Sequence, residues 1–346
     1  MQVDYIIIGL GLAGIAFAEE LSKNGKSFIV FEDDSQNSSL VAGGMYNPVV
    51  LKRFTPVWNA KEQLKIALPF YKNLEEKLIG RYQYSVDIYR IFKSIEEQNN
   101  WFQACDKLLL EDFMIPRIFK NKNQYIKAPF DCGKLKNTGR INVNSLAKDY
   151  RIHLKKLNRI REEQFVYKKI VFDENRVSYQ DIITKHIVFC EGFGLKRNPF
   201  FNHLPMREAK GELLTIHAPD LKVDYLIKSA VFILPVGDDL YKVGATFNWT
   251  DKTKLPTQDG RNELENKLNS VINCDYKIVD HSAGIRPTIL DRRPLLGTHK
   301  KHKQLSILNG MGTRGVMIAP LMAKKLFLNL EKNEQLEKEI DIARFD

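Results

Sequence analysis

The sequence predicts an α/β fold in which a doubly wound parallel-sheet unit is interrupted by an inserted α+β unit built on an antiparallel sheet. Three observations predict it. A strand, a glycine turn, a helix and a second strand open the chain; strand and helix signals of the same kind return in the middle and at the end; and the stretches between them alternate apolar and polar residues. With 346 residues the chain exceeds one small core, which suggests two connected domains.

The opening run MQVDYIII leads into Gly9-x-Gly11-x-x-Gly14 and at once into the helix-forming IAFAEELSKNG. Gly9 allows a tight turn, Gly11 lets backbone approach a pyrophosphate, and Gly14 lets the helix pack closely on the strand. The helix start then offers unpaired N–H groups and the positive end of its dipole to the phosphates. A second strand, SFIVFE, ends at Glu32, eighteen residues beyond Gly14, where an acid accepts hydrogen bonds from a ribose diol. Together these make a Rossmann-like dinucleotide-binding start.

Residues 57–80 read as a helix, with Leu64, Ala67, Leu68, Tyr71, Leu74 and Leu78 at helical spacing. The aromatic-rich stretch 81–140 carries a helix at 94–105 and strands around Pro116 and Ile126. A helix near 142–158 precedes three strands, QFVYKKIVF, RVSYQ and KHIVFCEG, the last ending at Gly192 where a parallel strand would meet the cofactor. GELLTIHA, SAVFILPV and LYKVGATF alternate as in an antiparallel sheet. The strand LSILNG, a second glycine loop and the helix VMIAPLMAKKLFLNLEK follow from 305. We therefore expect 1–80, 141–209 and 283–346 to form a discontinuous cofactor-binding domain, and 81–140 with 210–282 to form the substrate domain.

That interleaving narrows the cofactor, because a nicotinamide enzyme usually completes its dinucleotide domain in one block. Here Gly310, Gly312, Thr313, Arg314 and Gly315 open another helix at Val316. Two glycine-loop helix starts suggest the two ends of one long cofactor, pyrophosphate at the first and the O2 edge of a flavin at the second. A plain packing turn is the alternative for the second loop.

Hydrophobic and charged content are ordinary for a soluble globular enzyme. No stretch approaches the roughly twenty apolar residues of a membrane span, so we expect a cytoplasmic protein with no membrane partner. Cys105, Cys132, Cys190 and Cys274 are widely separated, and the seven histidines form no ligand motif, which leaves no metal site to expect. The net charge of +11 favours an anionic partner, nucleic acid among them. Basic stretches lie at 120–127, 153–161 and 299–303, but no dense basic helix appears, so a lysine-rich solvated surface is the preferred account of them.

The segments GLGLAG with Glu32, VAGGMYNP at 41–48, KHIVFCEGFG at 185–194, ILPVGDDLYKVGAT at 233–246, AGIRPTILDRRPLLG at 283–297 and NGMGTRGVMIAP at 309–320 resemble, in order and spacing, the D-amino-acid oxidase superfamily of FAD-dependent oxidoreductases, which includes glycine oxidase and sarcosine oxidase. The resemblance covers nearly the whole chain. It implies noncovalent FAD, with Gly43, Gly44 and Met45 along the reactive edge of the flavin and Arg286 anchoring the substrate carboxylate. A guanidinium suits that task, since its fork takes a carboxylate in two hydrogen bonds and so fixes the α-carbon against flavin N5. It further implies hydride transfer from the carbon of a C–N bond, with the imine then hydrolysed in water. A structural ion pair with Asp291 or Asp280 is the alternative role for Arg286.

Tyr46, beside the flavin segment, is a candidate pocket residue. Phe232, Tyr241, Phe247 and Trp249 are more often core than pocket in such a pattern, and His217 and His281 read as packed or surface residues. Covalently flavinylated members of the superfamily use a cysteine near the Arg286 segment; this chain has Gly284 and Ile285 there. The loop GMGTRG, the DRRP stretch and the net charge also resemble the FAD domain of the bifunctional enzyme that removes a carboxymethyl group during maturation of the tRNA wobble uridine. Oxidation of a small amine or amino acid, that tRNA-linked reaction, and a noncatalytic flavin- or nucleotide-binding role are thus the three functions to weigh.

Overall fold

The computed structural model describes residues 1–35 and 38–345. Its first strand, Gln2–Ile8, is apolar on both faces and buried except at its start, as a central parallel strand must be. It pairs in parallel with Phe28–Phe31 on one side and Ile182–Phe189 on the other. Outside these lie Ile160–Arg161 beyond Phe28–Phe31, and Leu305–Asn309 beyond Ile182–Phe189, both parallel. Ile8 aligns with Phe31 and with Phe189, and Phe189 with Ile307, so the carboxyl ends of four strands open at one level. That end is where ligands bind in open α/β sheets. Leu295–Thr298 extends the sheet antiparallel beyond Leu305–Asn309.

Helices Leu12–Lys23 and Gly315–Lys332 pack side by side, and Ala60–Leu78 packs on the second of them. The expected helices at 94–105 and 142–158 are Ile95–Cys105 and Val143–Lys156, capped by Ser94 and Asn142 side chains. Both caps satisfy an N–H that would otherwise lack a partner.

A second, mostly antiparallel sheet joins both inserted stretches. Its strand order is Lys277–Arg286, Ala209–His217, Leu240–Gly244, Phe232–Gly237, Leu226–Lys228, Ile88–Ile91, Cys132–Leu135 and Met114–Phe119, with one parallel pairing between Leu226–Lys228 and Ile88–Ile91. The strand Lys277–Arg286 crosses the division expected at 282/283, because its pairing with Ala209–His217 continues to Arg286 opposite Ala209. Arg286 thereby belongs to the antiparallel sheet.

Two local expectations need correction. Residues 164–172 do not form one strand: Tyr167–Lys169 is a 3-10 turn and only Ile170–Phe172 is extended. Phe165 stacks on Tyr179 with ring centroids 4.1 Å apart, and the Val166 N–H donates to the Tyr179 hydroxyl, which turns the chain before pairing can begin. Around Ile126 a single bridge to Ile272 replaces a strand. Asn121 and Asn123 side chains there take backbone partners at Ile126 and Tyr125, competing with a ladder.

Candidate active site

A cavity of about 600 Å³ lies between the carboxyl ends of the parallel strands and one face of the antiparallel sheet. At its floor Gly9 has φ +96°, and a Cβ there would stand 2.7 Å from the Cys190 carbonyl oxygen. The turn is therefore open to glycine alone. A Cβ on Gly14 would stand 2.0 Å from the Gly9 carbonyl oxygen, so the helix rests directly on the turn. Gly11 differs: a Cβ there meets nothing nearer than Ser39 Oγ at 3.4 Å, and Gly11 caps the helix start without a side chain, Ser39 Oγ accepting only a long bond from the Leu12 N–H at 3.5 Å. Backbone N–H groups thus face open cavity, as an anion cradle requires.

Glu32 also lines the cavity. Its carboxylate accepts from the N–H groups of Leu10 at 2.5 Å and Asp34 at 2.8 Å, and burial raises its pKa. A carboxylate has about four acceptor positions, so these two bonds orient Glu32 without exhausting it.

The second glycine loop reaches the same cavity. Gly312, Thr313, Arg314, Gly315 and Val316 line it where the helix Gly315–Lys332 starts. Asn309 fixes this loop: its Oδ1 accepts from the Gly310 N–H at 2.7 Å, and its Nδ2 donates to the Gly192 carbonyl at 3.0 Å. Two turns from two parallel strands are thereby tied together beside the ligand space. Burial lowers the pKa of Arg314, and Arg292 nearby adds to the effect.

Arg286 stands on the opposite wall. Its guanidinium donates to the carbonyl oxygens of Lys210 and Thr246 at 3.3 Å, and its Cζ lies 4.1 Å from the centre of the Phe247 ring. Among the described residues it makes no ion pair. Asp291, one of the two partners considered for it, binds Arg344 at 2.8 Å instead. Burial pushes the guanidinium down to about 10, which leaves it charged at neutral pH. An unpaired buried cation facing a cavity is a site for an anionic ligand.

Gly211 makes room for this arrangement, since a Cβ there would stand 1.9 Å from Arg286 Nη2. Gly211→Ala is expected to displace the flexible guanidinium and not the backbone. The apparent KM for a carboxylate substrate should rise with little change in Tm, as read by kinetics and thermal unfolding side by side. A fall in Tm with KM unchanged would contradict this role for Gly211.

The loop after Gly244 is held from beneath by Lys210, which is fully buried and donates to Asp251 at 2.5 Å and to the Leu255 carbonyl at 2.5 Å. Phe247 is thus presented on a fixed support. No local sequence signal marks Lys210 as this support, because its partners lie more than forty residues away.

Gly43, Gly44 and Met45 line the cavity. Gly44 has φ +68° and a Cβ there would meet the Ile141 carbonyl oxygen at 2.0 Å, so the segment hugs its neighbour strand. Tyr46 is a correction. Its side chain lies in the core against Gly139, and Met45 and Asn47 face the cavity in its place. The cause is the period-two alternation of extended chain, which sends adjacent side chains to opposite faces.

Of the four aromatics weighed, Tyr241 is core; Phe232 and Phe247 line the cavity, and Phe247 and Trp249 are 52% and 53% exposed. Glu191, Asn309 and Lys228 also line the cavity, although the sequence reading singled out none of them. For two of them the signal was position: Glu191 directly precedes Gly192 and Asn309 directly precedes Gly310. His281 stands 2.8 Å from Glu212, away from the cavity. All four cysteines are free and buried; Cys190, which does line the cavity, has its thiol pushed well above the usual range by burial.

One cavity served by two helix starts, an open glycine cradle, the Glu32 carboxylate and a guanidinium without a carboxylate partner among the described residues has the parts a flavin dinucleotide oxidoreductase needs, and the cradle left open over Gly11 fits FAD. The chain belongs to the FAD dependent oxidoreductase family, whose model matches residues 4–327. It is similar to glycine oxidase of Bacillus subtilis (strain 168), 25% identical over 164 residues that make up 44% of each chain. It is 26% identical over 380 residues to the tRNA 5-methylaminomethyl-2-thiouridine biosynthesis bifunctional protein of Psychrobacter cryohalolentis, covering 93% of this chain and 52% of that one. The chain spans about half the length of these curated relatives. In fold it matches the crystal structure of glycine oxidase from Geobacillus kaustophilus with TM-score 0.81 at 18% identity, over 100% of this chain and 98% of that one.

Proposed function

We propose that the protein oxidises the C–N bond of a small amine or amino acid that carries a carboxylate, with FAD held noncovalently. The observation that carries this reading is Arg286, a charged guanidinium without a carboxylate partner among the described residues, facing the cavity opposite the glycine cradle. When bound, FAD supplies the acceptor for the two electrons and the hydrogen that leave the substrate carbon.

The chain's own residues bind and orient. Glu32 takes the ribose diol, and the helix starts at Leu12 and Gly315 face the pyrophosphate and the electron-poor ring edge. Arg286 takes the carboxylate in a fork whose plane is set by Thr246, Lys210 and the Phe247 ring. Phe232 and Leu213 supply apolar wall that keeps water from the reacting carbon. Orientation is then most of the catalysis. A turnover screen with an artificial electron acceptor tests this: N-methylglycine, glycine and D-amino acids should include a substrate, and carboxylate-free amines should not. Turnover of methylamines at least as fast as of every carboxylate-bearing amine would contradict it.

Glu32→Ala should weaken FAD about tenfold or more, since each hydrogen bond to a charged group contributes roughly 1.5–3 kcal/mol. Titration of apoprotein with FAD reads this, and unchanged affinity would separate Glu32 from the ribose.

A second reading is favoured by Phe247 and Trp249, whose half-exposed rings lie 5.8 Å apart, Phe247 lying against Arg286. Exposed aromatics there, with a net charge of +11, suit a nucleobase stacked at the mouth of the cavity. The substrate is then the carboxymethylaminomethyl group of a tRNA uridine, an N-substituted glycine served by the same guanidinium. Salt separates the two readings: tRNA should bind progressively more weakly as salt rises, and a small zwitterion should respond little.

A further inference from the structure

We propose that Lys228 is a second anion-binding residue of the cavity, and that the substrate carries, besides the carboxylate taken by Arg286, an acidic group at its far end. This deepens the amine-oxidation reading above and rests on it.

Lys228 closes the strand Leu226–Lys228 and lines the cavity together with Ile88, Leu226 and Phe232. It pairs with Phe232, Phe232 with Gly244, and Gly244 with Leu213, so Lys228, Phe232 and Leu213 present one row on one face of the antiparallel sheet. Arg286 comes from the same sheet, whereas the cofactor loops come from the parallel sheet. Both cations therefore face the ligand space from the same side.

The Lys228 carbonyl accepts from Arg90, but among the described residues nothing accepts a hydrogen bond from its ammonium. The charges that act on it are all positive: Arg90 in the neighbouring strand, Lys93 just beyond that strand, and Lys267 on the helix Gln258–Asn269. Arg90 is held by Glu97 and Lys267 by Glu263, so neither carboxylate is free for Lys228. Burial, with these cations, pushes Lys228 down to about 8. A half-buried ammonium against an apolar wall is destabilising unless an anion meets it, and an acidic ligand supplies one.

Geometry sets the size of that ligand. The guanidinium of Arg286 lies over Gly211. Three strand steps separate Gly211's strand from Lys228's, or about 14 Å at about 4.8 Å per step. The guanidinium end of Arg286 is already counted in this gap and only the Lys228 side chain shortens it, so the acids of the substrate are separated by several bonds and do not share one carbon.

The test titrates the FAD-loaded protein with acetate, succinate, glutarate and adipate, following perturbation of the visible flavin spectrum. At pH 7 the best dicarboxylate should bind about tenfold or more tighter than acetate, as expected for one added charge-assisted bond. Lys228→Met should abolish that advantage while acetate still binds, and Lys228→Arg should retain it. In the wild type the advantage should fall as pH rises through about 8, where the ammonium loses its proton. No dicarboxylate binding better than acetate, or an advantage that survives in Lys228→Met, would overturn the proposal. Failure of acetate itself to bind the wild type would instead count against Arg286 as the carboxylate anchor, and the inference would fall with it.

Discussion

Arg286→Ala is expected to weaken carboxylate substrates by about tenfold to more than a hundredfold, with FAD still bound. The magnitude follows from the loss of a two-bonded fork, each charge-assisted bond contributing roughly 1.5–3 kcal/mol. FAD should remain because Arg286 lies in the antiparallel sheet, while the glycine cradle and Glu32 belong to the loops of the parallel sheet. Arg286→Lys keeps the charge and loses the planar fork, so it should recover only part of the affinity. Carboxylate-free ligands of the cavity should respond little to either change. Steady-state KM values, with flavin content measured on the same samples, read the outcome. Unchanged turnover of every acidic substrate would remove Arg286 from the site.

Gly14→Val is expected to give a colourless, less stable protein. A Cβ at this position would stand 2.0 Å from the Gly9 carbonyl oxygen and 3.0 Å from its carbon, both backbone atoms that cannot swing aside. Relief requires the helix Leu12–Lys23 to move off the turn, which pulls the unpaired N–H groups away from the phosphates and opens a core holding Ile15, Phe17 and Leu21. Overpacking of this kind costs about 1–3 kcal/mol or more. Gly11→Ala is the control: a Cβ there has 3.4 Å to Ser39 Oγ, so the apoprotein should unfold near the wild-type temperature and yet bind FAD more weakly. Thermal unfolding without FAD and flavin content on purification distinguish the two. Normal flavin content in Gly14→Val would show that the helix start does not need to rest on the turn.

What the sequence made legible were the places where chemistry restricts residue choice within a short span. Gly9, Gly11, Gly14 and Glu32 form one continuous βαβ signature, and all but the packing glycine Gly14 line the cavity. Gly310 to Gly315 were legible for the same reason. Arg286 could be placed by its segment, but its freedom from an ion pair could not, because that depends on Asp291 being taken by Arg344 across the fold. Tyr46 was misplaced because neighbouring residues in a segment share a motif while alternation separates their faces. Phe232 and Phe247 could not be told from core aromatics, since the burial of an alternating strand depends on what packs over it. Lys228 carried no signal at all: only the sheet order brings it to the wall that Arg286 shares.

The most direct test of the account is anaerobic mixing of the FAD-loaded protein with N-methylglycine, and separately with dimethylamine, while the visible flavin band is followed. Without oxygen the readout is substrate oxidation alone. The account predicts that the band bleaches with N-methylglycine, or with a larger N-substituted glycine, and persists with dimethylamine, and that Arg286→Ala shifts the half-saturating concentration upward. Bleaching by dimethylamine as readily as by any carboxylate-bearing amine, or no bleaching by any amine or amino acid, would contradict it.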